Sequence, residues 1–363
     1  MKPIRVLIAD DAVVVRRLLT TVIDEDPELE VVGIAANGAI AVTKVQQLKP
    51  DILTLDVEMP ELDGLGALAE IRKTDRQLPI IMFSTLTERG ASATLEALSL
   101  GASDYVTKPA NVGSVAAAME SVRRELIPKI KSLVRRGGPA AARATADPTP
   151  PPPLRMPAVT APPTGRCDLV AIGSSTGGPI ALATVLASLP GNLDVPVVVT
   201  QHMPPVFTRL LAQRLDASMP IRVREAEDGD VLTPGTVYIA PGDFHMTLRR
   251  GAAGAMVQLN QQAPVNYCRP AVDVMFNSVA EVYRGDVLAV MLTGMGHDGR
   301  DGTAKLKSLG AQVIAQDEAT SVVWGMPGAV ATAGLADSVL PIDQIGPKIT
   351  SVVHGAARRT QVA

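Results

Sequence analysis

Ser175 stands in the run Gly173-Ser174-Ser175-Thr176-Gly177-Gly178-Pro179, which follows an apolar stretch and precedes a helix-like segment, Pro179 to Leu189. Glycines two places to either side permit a sharp strand-to-helix turn that presents the hydroxyl, the spacing of a nucleophile elbow. Pro179 suits a first helical turn, and backbone amides at such a start favour anions, so a phosphate-binding loop is the competing reading of this run alone. A serine hydroxyl needs a base before it attacks a carbonyl carbon. The chain has four histidines, His202, His245, His297 and His354. His202 directly follows the apolar run Val197 to Gln201, and Asp298 lies just past Val287 to Thr293 in the glycine-rich turn Gly294 to Gly299. If those runs are neighbouring strands, Ser175, His202 and Asp298 reach one sheet edge, with Asp298 orienting and stabilising an imidazolium. The chemistry is then acyl transfer. His297 reads as a rim residue, His245 as part of a hairpin region and His354 as part of a mobile C-terminus.

A second set is acidic. Asp10 and Asp11 end the first apolar run, Asp56 ends the third, Ser84 ends the fourth, and Lys108 follows the fifth. Open parallel sheets bind ligands beyond the carboxyl ends of their strands, so these side chains are expected to converge. Crowded carboxylates repel unless a hard cation sits among them, and Mg²⁺ meets that need. A carboxylate can accept a phosphoryl group while the metal and a lysine spread the developing charge; Asp56 is the expected acceptor.

Elements must carry these residues to their places. Short apolar runs at Ile4 to Ala9, Val31 to Ala35, Ile52 to Leu55, Ile80 to Phe83 and Tyr105 to Val106 alternate with amphipathic stretches, which predicts a five-stranded parallel α/β domain over residues 1–124. From Pro128 the apolar periodicity stops, and Gly137, Gly138, an alanine-rich run and Pro150 to Pro153 follow; residues 125–165 read as a mobile Pro/Ala-rich linker. The alternation returns at Leu169 to Gly173, Val197 to Gln201, Val287 to Thr293 and Val313 to Ala315, a second, doubly wound and mainly parallel α/β domain over 166–355 that carries the hydrolytic set. Between its second and third main strands, Ile221 to Leu259 is punctuated by Asp228-Gly229, Pro234-Gly235 and Pro241-Gly242, so an insertion of antiparallel hairpins is expected there.

Bulk properties narrow the classes. A chain of 363 residues exceeds one ordinary core. Net charge of −3 and 2% aromatic residues offer neither phosphate attraction nor stacking surfaces, which argues against nucleic acid. No apolar run spans a bilayer, so no membrane insertion is expected. Val6 to Ala9 is too short for the apolar centre of a secretory signal, which points to the cytoplasm. Cys167 and Cys268 read as packing residues rather than a disulfide.

The runs VLIADD and LDVEMPELDG, with Ser84 and Tyr105-Val106-Thr107-Lys108-Pro109, closely resemble the response-regulator receiver family over residues 1 to about 124. The resemblance implies a flavodoxin-like fold in which Asp11, Asp56 and the Glu58 carbonyl bind Mg²⁺ and Asp10 helps through water. It further implies that Ser84 and Lys108 hold phosphoryl oxygens, and that Tyr105 is a switch aromatic. Ser84 stands where threonine is more usual and keeps the hydroxyl.

The runs AIGSSTGGP, TQHMPPVFT, EAEDGD, YIAPGDFHM, RPAVDVMFNSV, LTGMGHDG and GMPGAV resemble the chemotaxis protein-glutamate methylesterases from residue 168 to about 350. That resemblance implies a Ser175, His202 and Asp298 triad, with Thr176 placing the histidine and the Met295 amide as oxyanion donor. It implies hydrolysis of glutamate methyl esters, and deamidation of glutamines, on methyl-accepting chemoreceptors, without a cofactor for the esterase. A chemotaxis histidine kinase is the implied phosphodonor, and the unphosphorylated receiver is expected to cover the cleft. Phe207 and Arg209 are expected to border that cleft. Two rivals are a transcriptional regulator, which would need a basic helix-turn-helix half, and a catalytically silent phosphorylation-dependent interaction module.

Overall fold

Two separate sheets organise the chain, which divides into two compact units between Asp147 and Pro148. The computed structural model describes residues 2–109, 114–137 and 165–362. The part of the expected linker from 138 to 164 lies outside the described residues.

The N-terminal unit runs β1 (Ile4–Ala9), α1 (Val13–Asp24), β2 (Leu29–Ala35), α2 (Gly38–Leu48), β3 (Ile52–Asp56), α3 (Gly64–Thr74), β4 (Ile80–Ser84), α4 (Glu88–Ser99), β5 (Asp104–Thr107) and α5 (Val115–Gly137). Its sheet has the order β2-β1-β3-β4-β5, all parallel. β3 and β4 are buried at every residue, as strands covered by helices on both faces must be. The order reverses between β1 and β3, so the crevice beyond their carboxyl ends opens beside Asp10 and Asp56.

Helix α5 corrects the expected end of this domain. It runs through Pro128, although proline removes a helical donor, because its buried stripe crosses that point, from Leu126 before it to Ile130 and Leu133 after it. Burying each such side chain is worth about 1.5–3 kcal/mol, enough to offset the lost hydrogen bond.

The C-terminal unit runs β6 (Leu169–Ser174), α6 (Gly178–Ala187), β7 (Val197–Gln201), α7 (Phe207–Ser218), β8 (Arg222–Glu225), β9 (Thr236–Ile239), β10 (His245–Gly251), β11 (Gly254–Asn260), α8 (Val272–Tyr283), β12 (Val287–Met291), α9 (Arg300–Ser308), β13 (Gln312–Gln316), α10 (Met326–Thr332), β14 (Ser338–Leu340) and α11 (Ile342–Val362). Seven strands form a parallel sheet in the order β14-β13-β12-β6-β7-β9-β8. β6, β7 and β12 are wholly buried.

Only part of the 221–259 region is antiparallel. β10 and β11 pair from His245↔Asn260 to Gly251↔Gly254, whereas β8 and β9 join the main sheet in parallel. The turn glycines do bend the chain, with Gly229 at φ 86 and Gly235 at φ 70, but inside a crossover. The amides of Gly229 and Leu232 donate to Val257 and Ala255 of β11, so the segment docks there and returns in its starting direction. His245 begins β10 and is buried, in the hairpin region as expected. His354 lies in α11 rather than in an unstructured end; Ile345, Ile349 and Val353 of that helix are buried at helical spacing.

Candidate functional site

β6 sits between β12 and β7, so the loops leaving three adjacent strands share one edge. Pairs Met291↔Gly173 and Ser174↔Gln201 bring those strand ends level. After β6 the chain turns through Gly177, at φ 75, into α6. A side chain at Gly177 would be strained at that φ and would press on Val322. The Ser175 amide donates to Thr293 O (3.0 Å) and the His202 amide to Ser174 O (3.1 Å). Gln201 ties the two strand ends together: it accepts from Ser174 Oγ at 2.7 Å and donates to the carbonyls of Ser175 (2.9 Å) and His202 (3.2 Å).

Asp298 comes to His202, Oδ2 to Nε2, at 2.8 Å. The carboxylate is buried and also accepts from Val272 N (2.6 Å), Asp273 N (3.2 Å) and Asn266 Nδ2 (2.9 Å). Two of those amides are the N-terminal amides of α8, where a negative charge is favoured. Burial alone would raise the Asp298 carboxyl; His202, Asn266 and the Val272 amide outweigh it and hold it well below the ordinary carboxylate range. For His202, burial opposes the charged ring, but Cys268 and Asp298 prevail and push it up to about 10. Cys268 is thus not the packing residue expected. It is half-buried, with Sγ 3.4 Å from His202 Nδ1, while Cys167 is buried and meets the packing expectation. Among the described residues, Ser175 Oγ makes no hydrogen bond to His202.

The remaining residues of this set divide. The Gly294–Met295 backbone runs against Ser175, since a Cβ at Gly294 would lie 2.9 Å from Ser175 Cβ, and the Met295 amide donates to no group among the described residues. Thr176 is buried with its carbonyl accepting from Thr293 Oγ1 (2.9 Å), and its hydroxyl is not hydrogen-bonded to His202. His297 is exposed, in keeping with a rim position. Phe207 does not border a cleft: it opens α7 with no exposed surface and belongs to the core, while Arg209 is exposed.

In the N-terminal unit the acidic side chains do meet. One ligand atom from each of Asp10, Asp11 and Asp56 lies within 4.8 Å of the others. Lys108 Nζ reaches Asp10 Oδ2 at 2.9 Å and Asp56 Oδ2 at 2.8 Å; apart from that ammonium, neither buried oxygen has a hydrogen-bond partner among the described residues. Burial pushes the Asp56 carboxyl up to about 6 against the pull of Lys108, with Asp10 adding to the rise. An all-oxygen donor set with buried, under-satisfied anions fits a hard divalent cation such as Mg²⁺. A cavity of about 130 Å³ opens there, lined by Asp11, Asp56, Glu58, Ser84, Thr85 and Lys108. The Glu58 amide points to Asp56 Oδ1 at 3.4 Å, while its side chain pairs with Arg89. Ser84 Oγ donates to Gly90 O at 3.0 Å. Tyr105 is buried, its ring 5.1 Å from Lys129 Nζ, which also donates to the Tyr105 carbonyl at 2.7 Å.

Several residues of both sites carried no signal of their own in the sequence. Arg16 Nη1 gathers the carbonyls of Asp10 (2.6 Å) and Asp11 (2.8 Å) and so shapes the acidic loop. Asn266 bridges Asp298 and Asp273, the latter at 3.1 Å. Asp273 could have been suspected from its place in the quoted run RPAVDVMFNSV, and Gln201 from standing immediately before His202.

Residues 170–349 match the family described as CheB methylesterase, and residues 6–120 match the response regulator receiver domain. A protein-glutamate methylesterase/protein-glutamine glutaminase of Nocardioides sp. is 57% identical over 96% of this chain and 95% of its own length. One of the same name from Trichodesmium erythraeum is 49% identical over 96% of this chain and 99% of its own length. The crystal structure of the Thermotoga maritima CheB methylesterase catalytic domain is 48% identical, covers 52% of this chain and 99% of that one, and superposes with a TM-score of 0.51. With two parallel-sheet units, a receiver match in the first and a methylesterase match in the second, the chain belongs to the CheB family of receiver-linked chemotaxis methylesterases.

Proposed function

We propose that Ser175, His202 and Asp298 are the catalytic residues through which this enzyme hydrolyses methyl esters of glutamate side chains on chemoreceptors. The observation that carries the reading is the 2.8 Å His202–Asp298 contact at the sheet edge where the Ser175 elbow ends β6. Ser175 Oγ attacks the ester carbonyl carbon as its proton passes to His202, and the Met295 amide receives the developing oxyanion. The proton then leaves on the methoxy oxygen, methanol departs and an acyl-enzyme remains. Water, deprotonated by His202, attacks that acyl carbon; the Ser175 oxygen leaves with that proton, and the product acid releases its remaining proton to solvent as the glutamate carboxylate. Thr176 stands next to the nucleophile and is assigned to support of the elbow, through its backbone bond with Thr293. A glutamine side chain would follow the same course with ammonia as leaving group, in keeping with the glutaminase half of the relatives' names.

In the N-terminal unit Asp56 is the phosphoryl acceptor, supplied by a chemotaxis histidine kinase. Lys108 and Ser84 hold phosphoryl oxygens, and Tyr105 is the aromatic that responds. Asp10, Asp11, Asp56 and the Glu58 carbonyl would hold Mg²⁺, which when bound supplies charge neutralisation for phosphoryl transfer. Phosphorylation raises hydrolase activity, and the residues assigned to domains are 1–124 and 166–355, the first extended by α5 to Gly137. No helix among the described residues is long and apolar enough to cross a membrane. The enzyme is assigned to the cytoplasm, in keeping with its family.

The test is methanol release from methylated receptor membranes, with and without a small-molecule phosphodonor and Mg²⁺. Ser175→Ala is expected to abolish release, and Asp56→Ala to keep the basal rate while losing the stimulation. Release that persists in Ser175→Ala overturns the nucleophile assignment; stimulation that survives Asp56→Ala overturns the acceptor assignment.

A further inference from the structure

His202 has two ring nitrogens, and both are engaged. Nε2 is held by Asp298 at 2.8 Å, and Nδ1 lies 3.4 Å from Cys268 Sγ. A thiol is both a weak donor and a weak acceptor, so that separation is within its reach. In a serine triad the nitrogen not held by the carboxylate is the one that takes the serine proton. Here that nitrogen faces sulfur, and Ser175 Oγ is not hydrogen-bonded to the ring.

The place of Cys268 is firmly set. Val265 and Cys268 exchange both backbone hydrogen bonds, at 3.1 and 2.9 Å, across a two-residue turn formed by Asn266 and Tyr267. Both turn residues have positive φ, 51 and 64, a conformation that side chains other than glycine adopt only when the surroundings over-determine it. The surroundings do so from both ends. Asn266 Nδ2 is bonded to Asp298 and Asp273, and Arg269, one residue beyond, is fastened to Asp243 and to the carbonyls of Gln261 and Gln262. The same short turn therefore grips the carboxylate through Asn266 and the imidazole through Cys268.

We propose that Cys268 is a positioning residue for the hydrolysis: its thiol occupies Nδ1 of His202, fixes the ring against Asp298, and competes with Ser175 for the nitrogen that must receive the serine proton. This rests on the reading of Ser175, His202 and Asp298 as the catalytic set. The titratable groups facing His202 are Asp298 from the loop before α9, Asp273 on α8 by way of Asn266, and the Cys268 thiol. Because Cys268 and Asp298 together favour the protonated ring, removing the sulfur leaves His202 a base at lower pH.

Two readouts test this in the full-length protein: an NMR titration of the labelled His202 ring, and the pH profile of kcat/KM for methanol release. Cys268→Ala is expected to lower the His202 midpoint by about one pH unit or more. It is also expected to raise kcat/KM severalfold at neutral pH, with the rising limb of the profile displaced to lower pH. Cys268→Ser keeps the side chain's shape and a hydroxyl able to hydrogen-bond Nδ1, so it is expected to move both readouts less than Cys268→Ala does, and it guards against a misfolded alanine variant. A His202 midpoint unmoved in both variants overturns the proposal, as does a kcat/KM lowered at every pH, the result expected of a purely structural side chain. Failure of the underlying reading is separable: it appears as methanol release by Ser175→Ala, whereas the ring titration needs no turnover.

Discussion

Asp56 illustrates how one buried charge couples chemistry to stability. Its carboxyl is 3% exposed and pushed up to about 6, chiefly by burial, although Lys108 lies 2.8 Å away. The folded value exceeds the ordinary 3.8, so the folded protein binds the extra proton between those values. Stability is then fully present below the ordinary value, declines as pH rises through about 6, and stays reduced above it. Asp56→Asn removes the charge and should stabilise the N-terminal unit at neutral pH by about 1–3 kcal/mol, with the gain vanishing in acid. Thermal unfolding of the full chain across pH checks this; a variant that melts below wild type at neutral pH contradicts it. Saturating Mg²⁺ should narrow the gap, because it stabilises the charged wild-type cluster more than the variant.

Among the elements, the junction of β6 with β7 concentrates the most consequence in one side chain. Gln201 ends β7, is 1% exposed, and satisfies Ser174 Oγ together with the carbonyls of Ser175 and His202. Gln201→Leu keeps the bulk and removes every one of these bonds; each buried polar group left orphaned costs about 1–3 kcal/mol. The same change loosens the backbone that carries both Ser175 and His202, the proposed nucleophile and base, and a displacement near 1 Å can cost roughly a hundredfold in rate. We therefore expect kcat to fall by about two orders of magnitude with KM little changed, together with a lower melting temperature of the C-terminal unit. An active, equally stable variant would show that Gln201 merely fills space. The ends of β6, β7 and β12 were legible in the sequence because each apolar run gives way to polar residues, at Ser174, Thr200 and Thr293, and the order of such ends is a local property. The contacts that complete the site were not. Cys268 meets a histidine 66 residues away and Asn266 an aspartate 32 residues away, partners that only tertiary folding selects. Hairpin punctuation misled at β8 and β9 for the related reason that a turn dipeptide reports a bend, not the direction in which the chain afterwards pairs.

For the molecule as a whole, the decisive feature is that each unit owns a complete parallel sheet with buried strands and a site at its carboxyl edge. A division was expected from composition, since the Pro/Ala-rich stretch is poor in the residues that build a core, and the chain divides into two units between Asp147 and Pro148. The first residues of that stretch were misplaced because Pro128 was read as a stop, whereas the stripe of Leu126, Ile130 and Leu133 carries α5 on to Gly137. The candidate residues divide the same way: Ser175, His202, Asp298, Asn266 and Cys268 all lie beyond Pro148, and Asp10, Asp11, Asp56, Ser84 and Lys108 all lie before Asp147. On the proposed assignments, hydrolysis belongs to the second unit and phosphoryl acceptance to the first, and each can be tested apart from the other. A protein spanning residues 165–363 should accordingly fold, release methanol from methylated receptors with the same dependence on Ser175, and ignore a phosphodonor. The full chain should unfold in two transitions, of which Mg²⁺ and Asp56→Asn move only the one belonging to the N-terminal unit. A truncated protein that folds but is inactive would mean that the receiver supplies something the Ser175 site lacks, and the division of labour drawn from the two sheets would have to be abandoned.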